Sequence, residues 1–298
     1  MLRIILSSLT TVLLAPLAAT SMVAHADQPA TCKQCATWNA TQKPFRVYGN
    51  TYYVGVRGLS SILITSDRGH VLIDGDLPES AAKIAASIRE LGLRIEDVKL
   101  ILNSHIHFDH AGGIAELQRL SGATVAASQS SAIVLREGHS GPDDPQFGSL
   151  PGIPTVATVK VVTDAETLRV GPLQITAHLT PGHTPGGTTW TWTSCEDGRC
   201  LNMVYADSLA PMSAHDFRFT HNTTYPQALK DFEKSFATLE SLRCDILLTP
   251  HPDGSDLWTR LEKRERGGAP NSLIDATACR RLADSERERL KARVAAEH

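Results

Sequence analysis

Asn103-Ser104-His105-Ile106-His107-Phe108-Asp109-His110-Ala111-Gly112-Gly113 follows directly on the apolar run Val98-Lys99-Leu100-Ile101-Leu102. The run before it reads as a short core strand, and Ile114 to Leu120, after the Gly-Gly turn, reads as a helix. Three histidines and an aspartate within six residues thus sit on a strand-to-helix turn, where alternate positions of an extended segment project to one side. Neutral imidazoles and a carboxylate are what a zinc-type metal takes as ligands. Interleaving with apolar Ile106 and Phe108 sets this run apart from a solvated histidine tract.

Two more histidines share that setting at a strand end. His183 lies in Thr180-Pro181-Gly182-His183-Thr184-Pro185-Gly186-Gly187 after the strand-like Leu173 to Leu179, and His251 lies in Thr249-Pro250-His251-Pro252 after Cys244 to Leu248. Around them the chain alternates in short strand-like stretches: 45–48, 52–56, 61–65 and 70–74 form a meander. Ala82, Ile84, Ala85, Ile88 and Leu91 then fall at helical spacing. After Thr124 to Ala127 and a loop rich in Gly, Pro, Asp and Ser over 137–155, a second β run follows at 160–162, 167–170, 173–179, 188–193 and 201–205. Helical spacing returns at Leu229, Phe232, Phe236, Leu239 and Leu242. The repeated order predicts an α/β fold, a four-layered αβ/βα sandwich in one domain over 45–298, with the 137–155 loop as a lid or binding loop.

With 298 residues, a net charge of -3, 42% hydrophobic and 20% charged residues, disordered and fibrous classes are excluded, and no basic excess points to nucleic acid. Residues 1–26 read as a cleavable signal peptide: Met1-Leu2-Arg3, an apolar stretch from Ile4 to Ala19, then Ala24-His25-Ala26. Export with no membrane anchor is expected, leaving an N-terminal arm at 27–44. In an oxidising compartment the six cysteines favour disulfides. Cys195 and Cys200 flank a turn after an alternating strand and staple a hairpin; Cys244 and Cys279 would then tie the segment before a buried strand to the C-terminal region. Cys32 and Cys35 form a C-x-x-C whose pairing stays open, a redox or zinc role being disfavoured without a second such motif. His70, His139, His178, His215, His221 and His298 lack motif context and read as surface or structural, with His215 and His221 near enough to Ser208 to offer a rim residue. Trp190 and Trp192 read as core, and 284–298 as a solvated helix face.

The motifs His105-x-His107-x-Asp109-His110, Gly182-His183-Thr184, Ala206-Asp207-Ser208-Leu209 and Leu248-Thr249-Pro250-His251-Pro252 resemble the metallo-β-lactamase superfamily, and specifically subclass B3. The resemblance runs from about Phe45 to His298 and is narrowed to the subclass by the complete first motif, by Ser208 where other subclasses place a ligating cysteine, and by the Cys244/Cys279 pair. It implies two Zn²⁺ per chain with a hydroxide between them: His105, His107 and His183 hold the first, and Asp109, His110 and His251 the second. It implies hydrolysis of the β-lactam amide in penicillins, cephalosporins and carbapenems by a periplasmic enzyme that confers resistance. Asp109 would orient the hydroxide and relay its proton; Ser208, and after it Gln146, would receive the substrate carboxylate. The family often carries a hydroxyl where Ala210 stands, so carboxylate binding departs from the pattern there. A monomer acting on small molecules is expected. Two rivals remain: a thioesterase or lactonase of the same fold with Asp207 bridging the metals, and a non-catalytic exported zinc-binding protein.

Overall fold

The meander forms the first half of a sheet. After a short helix α1 (Cys35–Trp38), strands β1 (Phe45–Tyr48), β2 (Thr51–Tyr53), β3 (Ile62–Ile64) and β4 (His70–Ile73) pair antiparallel in chain order in the computed structural model, which describes residues 32–214, 216–267 and 272–297. Helix α2 (Ala81–Glu90) then crosses to β5 (Val98–Leu102), which lies parallel to β4. The one-turn α3 (Phe108–Ala111), α4 (Ile114–Ser121), β6 (Thr124–Ser128), α5 (Gln129–Glu137) and β7 (Val159–Val162) complete a seven-stranded sheet whose last four strands are parallel. Parallel strands covered on both faces are apolar throughout; all four residues of β4 are buried, as are four of the five in β5.

The second sheet is built from β8 (Thr167–Val170), β9 (Leu173–Leu179), β10 (Thr188–Glu196), β11 (Arg199–Tyr205) and β12 (Ile246–Leu248), in the order β12-β11-β10-β9-β8. It is antiparallel except for β11 and β12, which α6 (Ala228–Ser241) separates. Helices α7 (Leu257–Glu265) and α8 (Ala278–Ala295) follow. Between the sheets, Ile62, Ile64, Val71, Ile73, Leu100 and Leu102 meet Ile175, Trp190, Trp192, Met203, Tyr205 and Ile246. Outside the first sheet, Leu63, Leu72, Ile101 and Val125 pack on Ile84, Ile88, Ile114, Leu117 and Leu135. Outside the second, Val204 and Leu247 pack on Phe232, Phe236, Leu239, Ala283 and Leu290. These three apolar layers between four tiers of backbone are the four-layered sandwich expected from the sequence.

Several particulars differ from expectation. The described part of the N-terminal arm is docked: Trp38 packs against the first outer core, and its carbonyl accepts from Gly58 N at 2.9 Å. The C-terminal helix is more than a solvated face. Ala278, Cys279, Ala283, Glu286 and Leu290 are buried, because small residues let α8 approach α6 without an obvious apolar stripe. Helices α5 and α7 carry no clear sequence signal, since polar Gln129-Ser130-Ser131 opens one and only Leu257 and Leu261 are buried in the other. Disulfides Cys32–Cys35, Cys195–Cys200 and Cys244–Cys279 use all six cysteines. Cys195 and Cys200 face each other across β10 and β11, beside the Asp197-Gly198 turn. The expected signal peptide at 1–26, the start of the arm, His215 and His298 lie outside the described residues. Among the described residues no helix is long and apolar enough to cross a membrane.

Candidate metal centre

The chain leaves β5, bends at Ser104 and takes extended dihedrals at His107, φ -66° and ψ 149°, before α3 begins. His105 and His107 thus project from the connection after β5, while Asp109 and His110 project from a helical turn. The two glycines after α3 are needed for close packing. A Cβ at Gly113 would lie 2.1 Å from the Gly75 carbonyl oxygen, and one at Gly112 would lie 2.3 Å from the Phe108 carbonyl oxygen and 2.4 Å from Pro78 Cδ. Beneath this turn Asp74 accepts from Ser104 N at 2.7 Å, Ser104 Oγ at 2.6 Å and Tyr205 OH at 2.8 Å. Burial raises its carboxyl to about 7 against that hydrogen bonding. Asp74 thereby ties β4, the β5 loop and the second sheet together one residue before His105.

The other sheet delivers the remaining histidines. His183 follows Gly182, whose φ is +141° and where a Cβ would lie 2.7 Å from the Phe232 ring, so that both space and conformation admit glycine alone. His251 follows β12, and its carbonyl accepts from Thr249 Oγ1 at 2.6 Å and Gly254 N at 3.0 Å. Strand ends of both sheets thus converge on one edge of the sandwich.

There the six side chains fall into two triads, His105/His107/His183 and Asp109/His110/His251, with the donor atoms of each within 4.8 Å of one another. The triads adjoin, the His105 and His110 ring centroids lying 4.4 Å apart. In the first, His107 Nδ1 is 3.2 Å from His183 Nε2, and His105 Nε2 is buried without a partner. In the second, Asp109 Oδ2 lies 3.3 Å from both His110 Nε2 and His251 Nε2. A buried ring nitrogen with no donor or acceptor, facing other ring nitrogens, is costly unless a cation completes it. All six donors are nitrogen or oxygen, three for each of two ions, which suits catalytic zinc with positions left open. The residues fit metal ions.

Three of the histidines are shifted toward the neutral form, whereas Asp109 outweighs burial and raises the His251 imidazole. Burial lowers the His105 and His110 imidazoles and takes His183 to about 3, so they are neutral and able to ligate. Burial alone would raise the Asp109 carboxyl, but His110 and His251 outweigh it and hold it well below the usual carboxylate range.

Behind the first triad, each histidine's other nitrogen meets an oxygen. His105 Nδ1 lies 2.8 Å from Asp207 Oδ1, His107 Nε2 lies 3.3 Å from Asp144 Oδ1, and His183 Nδ1 donates to the Ala210 carbonyl at 2.8 Å. Such partners fix the ring tautomer and raise ligand basicity. Asp207 thus meets His105 through Oδ1 on the side away from the unpartnered Nε2, while its own Oδ2 is buried without a hydrogen-bond partner. Gln146 reaches the site, its Nε2 3.5 Å from His107 Nδ1. Ser208 is half-buried between Asp207 and Ala210, which touch two different ligands. The roles of Asp144, the Ala210 carbonyl and Asp74 escape sequence reasoning, as does Trp38, whose ring lies 5.2 Å from that of His251. Only Asp144 offers a signal, two residues from Gln146 in the lid segment. His221 and His139 are exposed, His70 is buried, and His178 pairs with Thr191 Oγ1 at 2.9 Å, so none joins the centre.

Comparison with known proteins agrees with this architecture. The family model described as metallo-beta-lactamase superfamily matches residues 54–195. The solved structure of the Rm3 metallo-β-lactamase is 56% identical with a TM-score of 0.88, covering 90% of this chain and 99% of that one. MEM-A1, a subclass B3 metallo-β-lactamase isolated from a soil metagenome library, is 54% identical with a TM-score of 0.85, covering 87% and 98%. More distantly, a hydroxyacylglutathione hydrolase from Anaeromyxobacter dehalogenans is 30% identical over 156 residues, 52% of this chain and 46% of that protein. The chain spans less than half the length of the curated relatives it matches. With two triads able to hold metal ions at one edge of a four-layered sandwich and near-complete coverage of these structures, the chain belongs to the metallo-β-lactamase superfamily and, within it, to the subclass B3 hydrolases.

Proposed function

We propose that the protein is an exported β-lactamase, active in the periplasm as a monomer, which uses two Zn²⁺ to hydrolyse the amide of penicillins, cephalosporins and carbapenems and so confers resistance. The observation that carries this reading is the pair of adjoining triads, complete in every position and free of cysteine. His105, His107 and His183 would hold the first ion, and Asp109, His110 and His251 the second. When bound, zinc lowers the pKa of a water ligand to about 7 and acts as a Lewis acid toward a carbonyl oxygen.

The chain's own groups supply the rest. Asp109 is the one carboxylate among the six ligands and is held ionised, which equips it to orient the attacking water and take its proton. Asp207, Asp144 and the Ala210 carbonyl keep the histidine rings in the ligating tautomer. Ser208 and Gln146 would serve as donors for the substrate carboxylate, and Ala210 contributes a carbonyl to His183 but no hydroxyl to substrate. The Asp207 geometry speaks against the thioesterase or lactonase alternative, and the filled ligand set speaks against a non-catalytic role.

The test is ring-opening of a cephalosporin and a carbapenem, followed by absorbance, using purified chain with zinc, after chelation, and after zinc is restored. Turnover that chelation abolishes and zinc restores is expected. Absence of turnover in protein that binds two zinc ions, with hydrolysis of a thioester or lactone instead, would overturn the β-lactamase assignment.

A further inference from the structure

Among the three first-triad histidines, His107 is the one whose orienting partner comes from the long segment between α5 and β7. That segment contains no helix or strand, and 142, 143 and 147–149 are exposed, yet Asp144 in their midst is only 2% exposed. Asp144 Oδ1 faces His107 Nε2 at 3.3 Å and also accepts from Gln146 N at 2.8 Å. The Gln146 side chain reaches round to within 3.5 Å of His107 Nδ1. A span of three consecutive residues therefore contacts both nitrogens of one ligand ring. The carboxylate's side-chain hydrogen-bond partner is His107 itself. Beside Asp144 the segment is tied by Pro145, whose carbonyl accepts from Ala214 N at 2.8 Å, and further along by Ile153 N donating to the Gly138 carbonyl at 2.8 Å and Val156 N to the Leu135 carbonyl at 2.7 Å.

A histidine that ligates through Nδ1 carries its proton on Nε2, where Asp144 receives it. Metal on Nδ1 makes that proton a stronger donor, and a fixed acceptor makes Nδ1 a better ligand. Any interaction that favours both partners must act equally in each direction. We propose that Asp144 is a positioning residue that links order in the 138–158 segment to occupancy of the first metal triad, so that filling the triad also sets the loop that presents Gln146. This rests on the metal-binding reading above.

The experiment compares wild type, Asp144→Ala and Asp144→Asn by zinc competition with a chromophoric chelator, by backbone hydrogen exchange across 138–158 with and without zinc, and by the ¹H–¹⁵N imidazole spectrum. In wild type, zinc is expected to slow exchange in the segment and to give His107 a hydrogen-bonded Nε2 proton. Asp144→Ala should weaken one of the two zinc ions by about 10–100-fold, leave the other unchanged, and return the zinc-loaded segment to the exchange rate of zinc-free wild type. Asp144→Asn, which keeps an acceptor oxygen, should recover part of both effects. The coupling is overturned if wild-type exchange is indifferent to zinc, or if both ions weaken together with a lowered melting temperature. Zinc bound by wild type with an indifferent loop removes the coupling alone, whereas a wild type that binds no zinc removes it together with the metal reading.

Discussion

The two triads differ in how they are held. In the first, every ring is buried and every far nitrogen is met by a protein oxygen, so the geometry is set before a metal arrives. In the second, the ligands chiefly hold each other: Asp109 touches both histidines, His110 Nδ1 is buried without a partner, and the His251 side chain is 37% exposed against 1% for His105. Outside the triad, His251 is steadied by a backbone hydrogen bond to Gly58 and by the tilted Trp38 ring from the N-terminal arm. Preorganisation by surrounding hydrogen bonds favours a tighter and more rigid first site; mutual contact and solvent access favour a more labile second one.

The largest expected effect comes from Asp109, the common partner in the second triad. Asp109→Ala should reduce β-lactam turnover by roughly 10²–10⁴-fold and leave a single zinc per chain by metal analysis. Retention of two ions would break the contrast between the triads. Asp207→Ala comes next, stripping His105 of its partner. It should weaken the first ion by about 10–100-fold in a chelator competition while the second is unaffected. Trp38→Ala tests the other side. Loss of an aromatic contact worth about 0.5–1.5 kcal/mol should weaken only the second ion, by about 2–12-fold at 1.4 kcal/mol per decade.

A separate effect, on stability and not on metal binding, is a pH dependence in the buried carboxyls beneath the triads. Asp74 supports Ser104 before the first, and Asp76, which bridges to Ala111, lies under the second. Burial raises both from 3.8 to about 7. The folded state thus holds these protons where the unfolded chain has released them, and stability falls as pH rises from about 4 to about 7. Urea unfolding of chelated protein across that range should show a shallower decline in Asp76→Asn than in wild type. An unchanged slope would remove Asp76 from the account.

Much of this is legible in the chain. The strands of both sheets, α2, α4 and α6 follow from alternation and helical spacing, because their buried faces are built from large apolar residues. Helices α5, α7 and most of α8 are less visible, since each buries only a few side chains, several of them small. All six triad residues stand out by motif and strand-end context, and Gln146 by the composition of its loop. The docking of the arm does not, because a lone Trp38 beside a C-x-x-C has no periodic pattern to mark it as packed.

The fold and the membership of the two triads are written in local patterns: apolar periodicity, turn glycines, and histidines at strand ends. Which nitrogen of each ring in the first triad faces the centre, and what holds the other, depends on long-range packing. Those partners lie 102, 37 and 27 residues from their histidines, and a ring is oriented by the groups that fold against it, which no local spacing records.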